Sequence, residues 1–226
     1  MSSDIEKCKN LEIFTKMRSI KLNALLTLNR FKLPHEIMKH ICNYLIDFDD
    51  ETIRVAVKLW FDNEEQCIKL YGHISTWDTL RVTNMMSLFD GKKNFNENIN
   101  SWNVSNVKDI SLMFCDAESF NQPLNSWNVS NVIFMVYTFC NAESFNQSLD
   151  SWNISNVRDM SFMFSGATSF NQPLHSWNVS NVKDMESMFD GATSFNQTLN
   201  SWNVSNVTNM SYMFEGSGCF NKLLNL

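Results

Sequence analysis

The feature that most constrains this chain is a tandem repeat with a period of 25 residues, which covers residues 77–226. Three sets of aromatic residues keep this period without an insertion or deletion: Trp77, Trp102, Trp127, Trp152, Trp177 and Trp202; Phe89, Phe114, Phe139, Phe164, Phe189 and Phe214; and Phe95, Phe120, Phe145, Phe170, Phe195 and Phe220. One unit of this size cannot bury its own large side chains. Six stacked units that share one continuous core are therefore predicted.

Within each unit, the spacing of the apolar residues predicts a short helix. In the second unit, Val107, Ile110, Met113 and Phe114 lie at i, i+3, i+6 and i+7, a spacing that places them on one helical face. Asp109 would lie in the first turn, where the helix dipole favours a carboxylate. This explanation of the aspartate column is preferred to a row of cation sites, because Phe134 interrupts the column without changing the repeat.

A short strand is predicted near Leu124–Trp127 and at the equivalent positions, and strands one repeat apart would stack about 4.8 Å from each other. The predicted fold class is thus an α/β solenoid in which each unit has a short strand and a short helix. It would follow a helical N-terminal region over residues 1–76.

Two polar columns predict how successive units turn and join. The column two residues after the first phenylalanine contains only residue types that enter the left-handed region easily: Gly91, Asp116, Asn141, Gly166, Gly191 and Gly216. We expect the chain to turn there with a positive φ angle. An unbroken asparagine column predicts a buried amide ladder between units, since an amide both donates and accepts: Asn96, Asn121, Asn146, Asn171, Asn196 and Asn221.

Composition and charge exclude several classes of function. Residues 77–226 contain thirteen Asp and Glu residues against seven Lys and Arg residues, which argues against nucleic acid as the main ligand. The N-terminal residues contain no apolar signal-peptide core, and no run approaches membrane-spanning length.

The six cysteines form no C-x-x-C pair, so an intracellular (cytoplasmic) protein with reduced thiols is predicted. Cys115 and Cys140 share a column in adjacent units, and we interpret them as two small core or surface residues rather than a functional pair.

No catalytic, cofactor-binding or metal-binding residue is predicted. The four histidines are scattered, and the sequence has no nucleophile elbow, phosphate loop, H-E-x-x-H or dinucleotide motif. The chain is therefore expected not to be an enzyme and to need no cofactor.

The repeat W-N-V-S-N-V-x-D-M-S-x-M-F-x-G-A-x-S-F-N-Q-P-L resembles the 25-residue repeat of the BspA-like leucine-rich-repeat surface-protein family. This resemblance covers residues 77–226 and implies a leucine-rich-repeat-like solenoid that is used in adhesion or protein binding. Residues 50–60, followed by residues 71–74, resemble the segment that precedes such repeats in some eukaryotic and viral members. This implies an N-terminal capping helix over about residues 51–70.

Residues 33–45, with the sequence L-P-H-E-I-M-K-H-I-C-N-Y-L, resemble the opening helix of an F-box. The resemblance implies that Leu33, Pro34, Ile37 and Ile41 contact a Skp1-like adaptor of a ubiquitin ligase. The alternative is that these residues form a plain capping helix.

The third unit departs from the repeat at four positions that are mostly polar in its neighbours: Ile133, Phe134, Val136 and Tyr137. An apolar patch on an otherwise polar face usually marks an interface, and local repacking around Thr138 is the alternative. The sequence as a whole favours a protein–protein interaction module. The F-box resemblance implies the substrate receptor of a ubiquitin ligase, whose repeats bind an unknown protein target. The alternative function is a structural or adhesive surface repeat protein with no link to ubiquitin.

Overall fold

The computed structural model describes residues 48–218 of the 226-residue chain. The chain divides into two compact units, Met1–Asp47 and Phe48–Leu226, and the description below concerns the second. The predicted F-box-like helix over 33–45 lies outside the described residues, as do the final eight residues of the sixth repeat.

Two α-helices and one short 3₁₀ helix precede the repeats. Helix α1 spans Thr52–Asp62, helix α2 spans Glu64–Tyr71, and the 3₁₀ helix spans Ile74–Thr76. The two α-helices separate at Asn63, whose side chain accepts a hydrogen bond from the Gln66 N–H at 3.0 Å and so begins α2. Gly72, with a φ angle of 75°, ends α2.

The described part of the repeats contains neither a helix nor a strand, so the prediction of an α/β solenoid of strand-plus-helix units is wrong. Each unit is instead a series of tight turns. A single parallel β-bridge joins each unit to the next: Asn84 to Asp109, Asp109 to Phe134, Phe134 to Asp159, Asp159 to Asp184, and Asp184 to Asn209. The predicted strand near Leu124–Trp127 is itself a turn, in which the Trp127 N–H donates to the Leu124 carbonyl at 3.1 Å.

The spacing that indicated a helix arises from these turns. In the second unit the Met113 N–H donates to the Ile110 carbonyl at 3.1 Å, three residues back, and the Val107 N–H donates to the Val104 carbonyl at 3.0 Å. Each three-residue turn returns a side chain to the interior, so apolar residues recur at i+3 without a helix. Val107, Ile110, Met113 and Phe114 are all fully buried.

Alternate backbone N–H groups on one side of each unit point to the next unit. In the third unit the N–H groups of Met135, Tyr137, Phe139 and Asn141 donate to carbonyls of the fourth unit at 2.7–3.0 Å. Tyr137 and Asn141 have positive φ angles of 56° and 53°. The predicted left-handed column, from Gly91 to Gly216, is confirmed.

The interior is a set of stacked aromatic columns. All six repeat tryptophans are buried, as predicted, and Trp77 stacks on Trp102 with 6.0 Å between ring centroids. From the second unit onward, each indole N–H donates to the carbonyl 28 residues earlier, as in Trp127 to Ile99 at 3.1 Å. The asparagine ladder is present, and the Asn121 side-chain oxygen accepts from the Asn146 N–H at 3.0 Å. It is not buried as predicted, because its described members are half-buried or exposed.

Helix α1 covers the first edge of the stack. The Asp50 carboxylate accepts hydrogen bonds from the Thr83 and Asn84 N–H groups at 2.6 and 2.9 Å, and the Arg54 guanidinium donates to the Met86 carbonyl at 2.6 Å. Asp50 and Arg54 thus make hydrogen bonds that a preceding unit makes elsewhere in the stack. The backbone groups of Thr83, Asn84 and Met86 at this edge are therefore paired. Phe48, which precedes α1, stacks on Trp77 of the first unit with 4.8 Å between ring centroids.

Candidate binding surface on the third unit

The four residues that distinguish the third unit lie along one outward face of the stack, beside the column of β-bridges. Phe134 is itself a bridge residue and is 43% exposed, while Ile133, Val136 and Tyr137 are half-buried. The predicted helical face does not exist, but these side chains lie near one another on the bridge side of the unit. We call the face formed by residues 133–137 the third-unit surface.

Polar residues of the neighbouring units border this surface. In their columns, Phe134 lies between Asp109 and Asp159, and Ile133 lies between Lys108 and Arg158. The apolar face thus interrupts a carboxylate column and, one residue earlier, a basic column.

Tyr137 extends the apolar face into the neighbouring units. Its ring stacks on the Phe162 ring with 4.4 Å between centroids and an interplanar angle of 5°. In the second unit, half-buried Leu112 occupies the same column. Burial, followed by the charges of Cys140 and Glu186, raises the pKa of the Tyr137 hydroxyl above its ordinary value.

The column that contains Tyr137 is a turn that the sequence did not predict. Its residues all have left-handed φ angles although none is a glycine: Ser87, Leu112, Tyr137, Phe162, Ser187 and Tyr212. The sequence carries no signal for this conformation, because leucine and aromatic residues rarely adopt it. The inter-unit hydrogen bonds impose it.

The aspartate column does not begin helices but closes small side-chain turns. The Asp109 carboxylate accepts from the Ser111 N–H at 2.8 Å, and the Asp159 carboxylate accepts from the Ser161 N–H at 3.0 Å. Phe134 has no side-chain acceptor. Among the described residues, the N–H of Val136 therefore has no hydrogen-bond partner.

Thr138 lies beneath the surface, where the second, fourth, fifth and sixth units have methionine. It is fully buried, and its hydroxyl donates to the Ile110 carbonyl at 3.3 Å. The hydroxyl is thus satisfied inside the unit.

A second group of reactive side chains spans the first three units. The ligand atoms of Asp90, Cys115 and Asp116 all lie within 4.8 Å of one another, and Cys140 follows Cys115 in the same column of the next unit. Burial and then the Asp116 carboxylate raise the pKa of Asp90. Interaction with the Cys115 thiol lowers the pKa of Cys140, while interaction with the Cys140 thiol and burial raise the pKa of Cys115.

The other predicted contact residues, Leu33, Pro34, Ile37 and Ile41, lie outside the described residues. Within residues 48–218, neither α-helix is long enough to cross a bilayer.

Comparison with known proteins identifies one family. A family model described as "Mycoplasma protein of unknown function, DUF285" matches residues 57–167 and, a second time, residues 128–226. No curated protein and no solved structure matches the chain.

Proposed function

The chain belongs to the DUF285 family, and because the description of that family gives no function, we propose from the surface of the repeat stack that this protein binds another protein. The observation that carries the proposal is the third-unit surface. It combines one exposed apolar ring, that of Phe134, and half-buried apolar neighbours with a backbone donor, the Val136 N–H, that has no partner among the described residues. The proposed role is binding and not catalysis.

The surface favours a partner that presents an extended apolar peptide segment. A carbonyl of such a segment would accept the Val136 N–H, and its apolar side chains would cover Phe134 and Tyr137. This mode of recognition uses backbone hydrogen bonds for affinity and side-chain contacts for specificity.

The charge of the stack favours basic residues beside that apolar segment. Residues 77–226 have thirteen acidic and seven basic residues, and Asp109, Asp159 and Glu186 lie in the columns around the surface. Such charges mainly raise the rate of association, and salt screens them. Binding is therefore expected to slow as ionic strength rises.

We place this binding inside the cell, where thiols stay reduced. The free state of the three described cysteines, Cys67, Cys115 and Cys140, supports this setting.

We extend the proposal to a ubiquitin-ligase substrate receptor, in which residues 33–45 contact a Skp1-like adaptor and the repeats recruit the target. The support is the resemblance of Leu33, Pro34, Ile37 and Ile41 to an F-box helix. A structural or adhesive repeat protein is the competing function, and it would need no adaptor.

The experiment compares two double variants of the full chain as baits for chemical crosslinking in lysate. Phe134→Asp with Val136→Ser returns the third unit to the repeat pattern. Leu80→Asp with Met86→Ser is the matched control, because Leu80 and Met86 are 44% and 41% exposed in the first unit. We expect the control to keep the partners of the wild-type chain and the third-unit variant to lose them. Equal partner sets for the two variants would contradict the proposal.

A further inference from the structure

The sixth unit leaves a row of backbone donors without partners. In the fifth unit, alternate N–H groups donate to carbonyls of the sixth unit at 2.7–2.9 Å: those of Met185, Ser187, Phe189 and Gly191. The equivalent N–H groups of the sixth unit have no hydrogen-bond partner among residues 48–218: those of Met210, Tyr212, Phe214 and Gly216. We call the face of the sixth unit that carries these donors the last edge of the stack.

Apolar side chains of the sixth unit are also uncovered at the last edge. Val204, Val207 and Met210 are half-buried, whereas their equivalents in the fifth unit are fully buried: Val179, Val182 and Met185. At the first edge of the stack, the Asp50 carboxylate accepts backbone N–H groups and Phe48 covers the Trp77 ring. Within the described part of the chain, no residue does the same at the last edge.

The direction of the hydrogen bonds limits which backbone can cover the last edge. The carbonyls of Asn209, Ser211 and Met213 already accept from the fifth unit, so residues 210–216 offer N–H groups on the outer side. A β-strand turns both the N–H and the C=O of the same residue toward its neighbour, so its own N–H groups would meet these donors. A repeat unit presents carbonyls to the donors of the unit before it, as the sixth unit does to the fifth.

Two carbonyls beside the donors match side chains of the repeat pattern. The Trp202 indole N–H donates to the Leu174 carbonyl at 2.9 Å, and the Asn206 amide donates to the Ser180 carbonyl at 2.8 Å. The equivalent carbonyls of the sixth unit accept no side-chain hydrogen bond from residues 48–218: those of Leu199 and Ser205. A tryptophan and an asparagine four residues after it, as in the repeat, would donate to both.

A second copy of this chain fits the last edge with neither end of its stack. Its last edge carries the same donors, and two rows of donors cannot pair. Its first edge is covered by α1, where the Arg54 guanidinium donates to the Met86 carbonyl at 2.6 Å. The occupant is therefore a different polypeptide.

We propose that the last edge binds a repeat unit of another protein that has the same 25-residue pattern, so that the stack continues from one polypeptide into the next. The partner carries the W-N-x-S-N segment of the repeat, and no capping helix covers the first edge of its stack. Its carbonyls accept the four N–H groups, and its aromatic rings stack on Trp202 and Phe214. Because α1 covers the opposite edge, this chain forms the first member of such an assembly.

The test measures hydrogen exchange of the full chain with and without a synthetic peptide of the sequence of residues 151–200. This peptide contains two units and no cysteine. We expect the peptide to slow exchange at Met210, Tyr212, Phe214 and Gly216 and to leave Val136 unchanged. Unchanged exchange at all five would overturn the proposal. Slow exchange at the first four before the peptide is added would also overturn it, because another part of this chain, such as residues 219–226, would already cover the edge.

Variants of the chain locate the contact at the last edge. Val204→Asp with Met210→Asp is expected to weaken peptide binding by about tenfold or more, because the bound peptide would bury two unpaired carboxylates. Leu80→Asp with Met86→Asp is the matched control, since both residues are exposed in the first unit, and it is expected to keep wild-type affinity. Fluorescence anisotropy of the labelled peptide measures both. Equal affinities for the two variants would contradict binding at this edge.

Variants of the peptide test the side-chain match while the chain stays unchanged. Trp152→Phe removes the indole that would donate to the Leu199 carbonyl, and we expect it to weaken binding by about tenfold. Trp177→Phe is the matched control, because the carbonyl to which the Trp177 indole donates is that of Leu149, which the peptide lacks. Equal losses in the two peptides would show that the indole N–H is not recognised, and they would overturn the partner assignment.

Discussion

The third and fourth units share a backbone but present different surfaces. The Met135 N–H donates to the Asp159 carbonyl at 3.0 Å, and one repeat later the Met160 N–H donates to the Asp184 carbonyl at 3.1 Å. Their tryptophans, Trp127 and Trp152, are equally buried. Their outward residues differ, however, since the third unit has Ile133, Phe134 and Val136 where the fourth has Arg158, Asp159 and Ser161, respectively.

This comparison separates the residues that maintain the fold from those that are free to vary. The inward aromatic columns and the inter-unit hydrogen bonds are the same in both units, so they define the stack. The outward columns tolerate arginine, aspartate, isoleucine or phenylalanine on one backbone. Binding specificity can therefore reside in these columns without a change of fold.

The largest expected effect tests whether the interiors of the two units are equivalent. Phe139→Ala in the third unit and Phe164→Ala in the fourth each remove a fully buried ring. Each is expected to lower the free energy of unfolding by about 3–5 kcal/mol, from lost burial and the cavity that remains. Urea denaturation of both variants checks this, and a cost below about 1 kcal/mol for either would break the comparison.

The second-largest expected effect concerns residues 33–45, which lie outside the repeats. If residues 33–45 bind a Skp1-like adaptor, Leu33→Ala with Ile37→Ala is expected to weaken binding by about 2–5 kcal/mol, because a few apolar anchors carry most of the energy. Calorimetry with a purified adaptor measures this. Phe134→Asp with Val136→Ser serves as the control that keeps adaptor binding. A wild-type chain that does not bind the adaptor would contradict the substrate-receptor proposal.

A smaller effect is expected at the first edge of the stack, where Asp50 replaces a preceding unit. Burial raises the pKa of Asp50, but hydrogen bonds from Thr83 and Asn84 and the charge of Arg54 outweigh it and lower the pKa below 3.8. Because the folded-state pKa is depressed, this stabilisation is present above the unfolded-state pKa. It is lost as the pH falls through the folded-state pKa.

Asp50→Asn is expected to lower the free energy of unfolding by about 1–2 kcal/mol at neutral pH, since a neutral amide oxygen accepts weaker hydrogen bonds than a carboxylate and the amide NH2 cannot accept from the Thr83 hydroxyl. The difference from wild type should shrink below about pH 4, where the wild-type carboxylate becomes protonated. Thermal melting between pH 2 and pH 7 checks the prediction. A difference that stays constant over this range would contradict the role of the Asp50 charge.

The sequence alone predicted the composition of the interior but not the backbone that produces it. The strict period of the tryptophans predicted stacked, buried indoles, and the Gly91 to Gly216 column predicted left-handed turns. The helix was wrong because three-residue turns place Ile110 and Met113 at the same spacing as a helical face. Periodicity reports which side chains point inward, and it does not report where the backbone hydrogen bonds go.

The features of the surface were predictable only in part. The exchange of aspartate for Phe134 was visible in the sequence, and it predicted an outward apolar patch. The unpaired Val136 N–H was not predictable. In the neighbouring units the carboxylates of Asp109 and Asp159 each accept the N–H two residues later, and the predicted helix did not contain this arrangement. The group of Asp90, Cys115 and Asp116 was also missed, since Asp90 and Cys115 are 25 residues apart and meet only through the stacking of units.

The smallest expected effect on stability is also the most direct test of the central claim. That claim is that the third-unit surface contacts a partner and that the stability of the fold does not depend on its side chains. In Phe134→Asp with Val136→Ser, the new carboxylate can accept the N–H of residue 136, as Asp159 accepts that of Ser161. The measurement is the free energy of unfolding of this variant, with its binding to a captured partner, or its self-association, measured in parallel. The account predicts an unfolding free energy within about 0.5 kcal/mol of wild type, with binding or association lost. A loss of several kcal/mol with unchanged association would show that these residues belong to the core, and it would contradict the account.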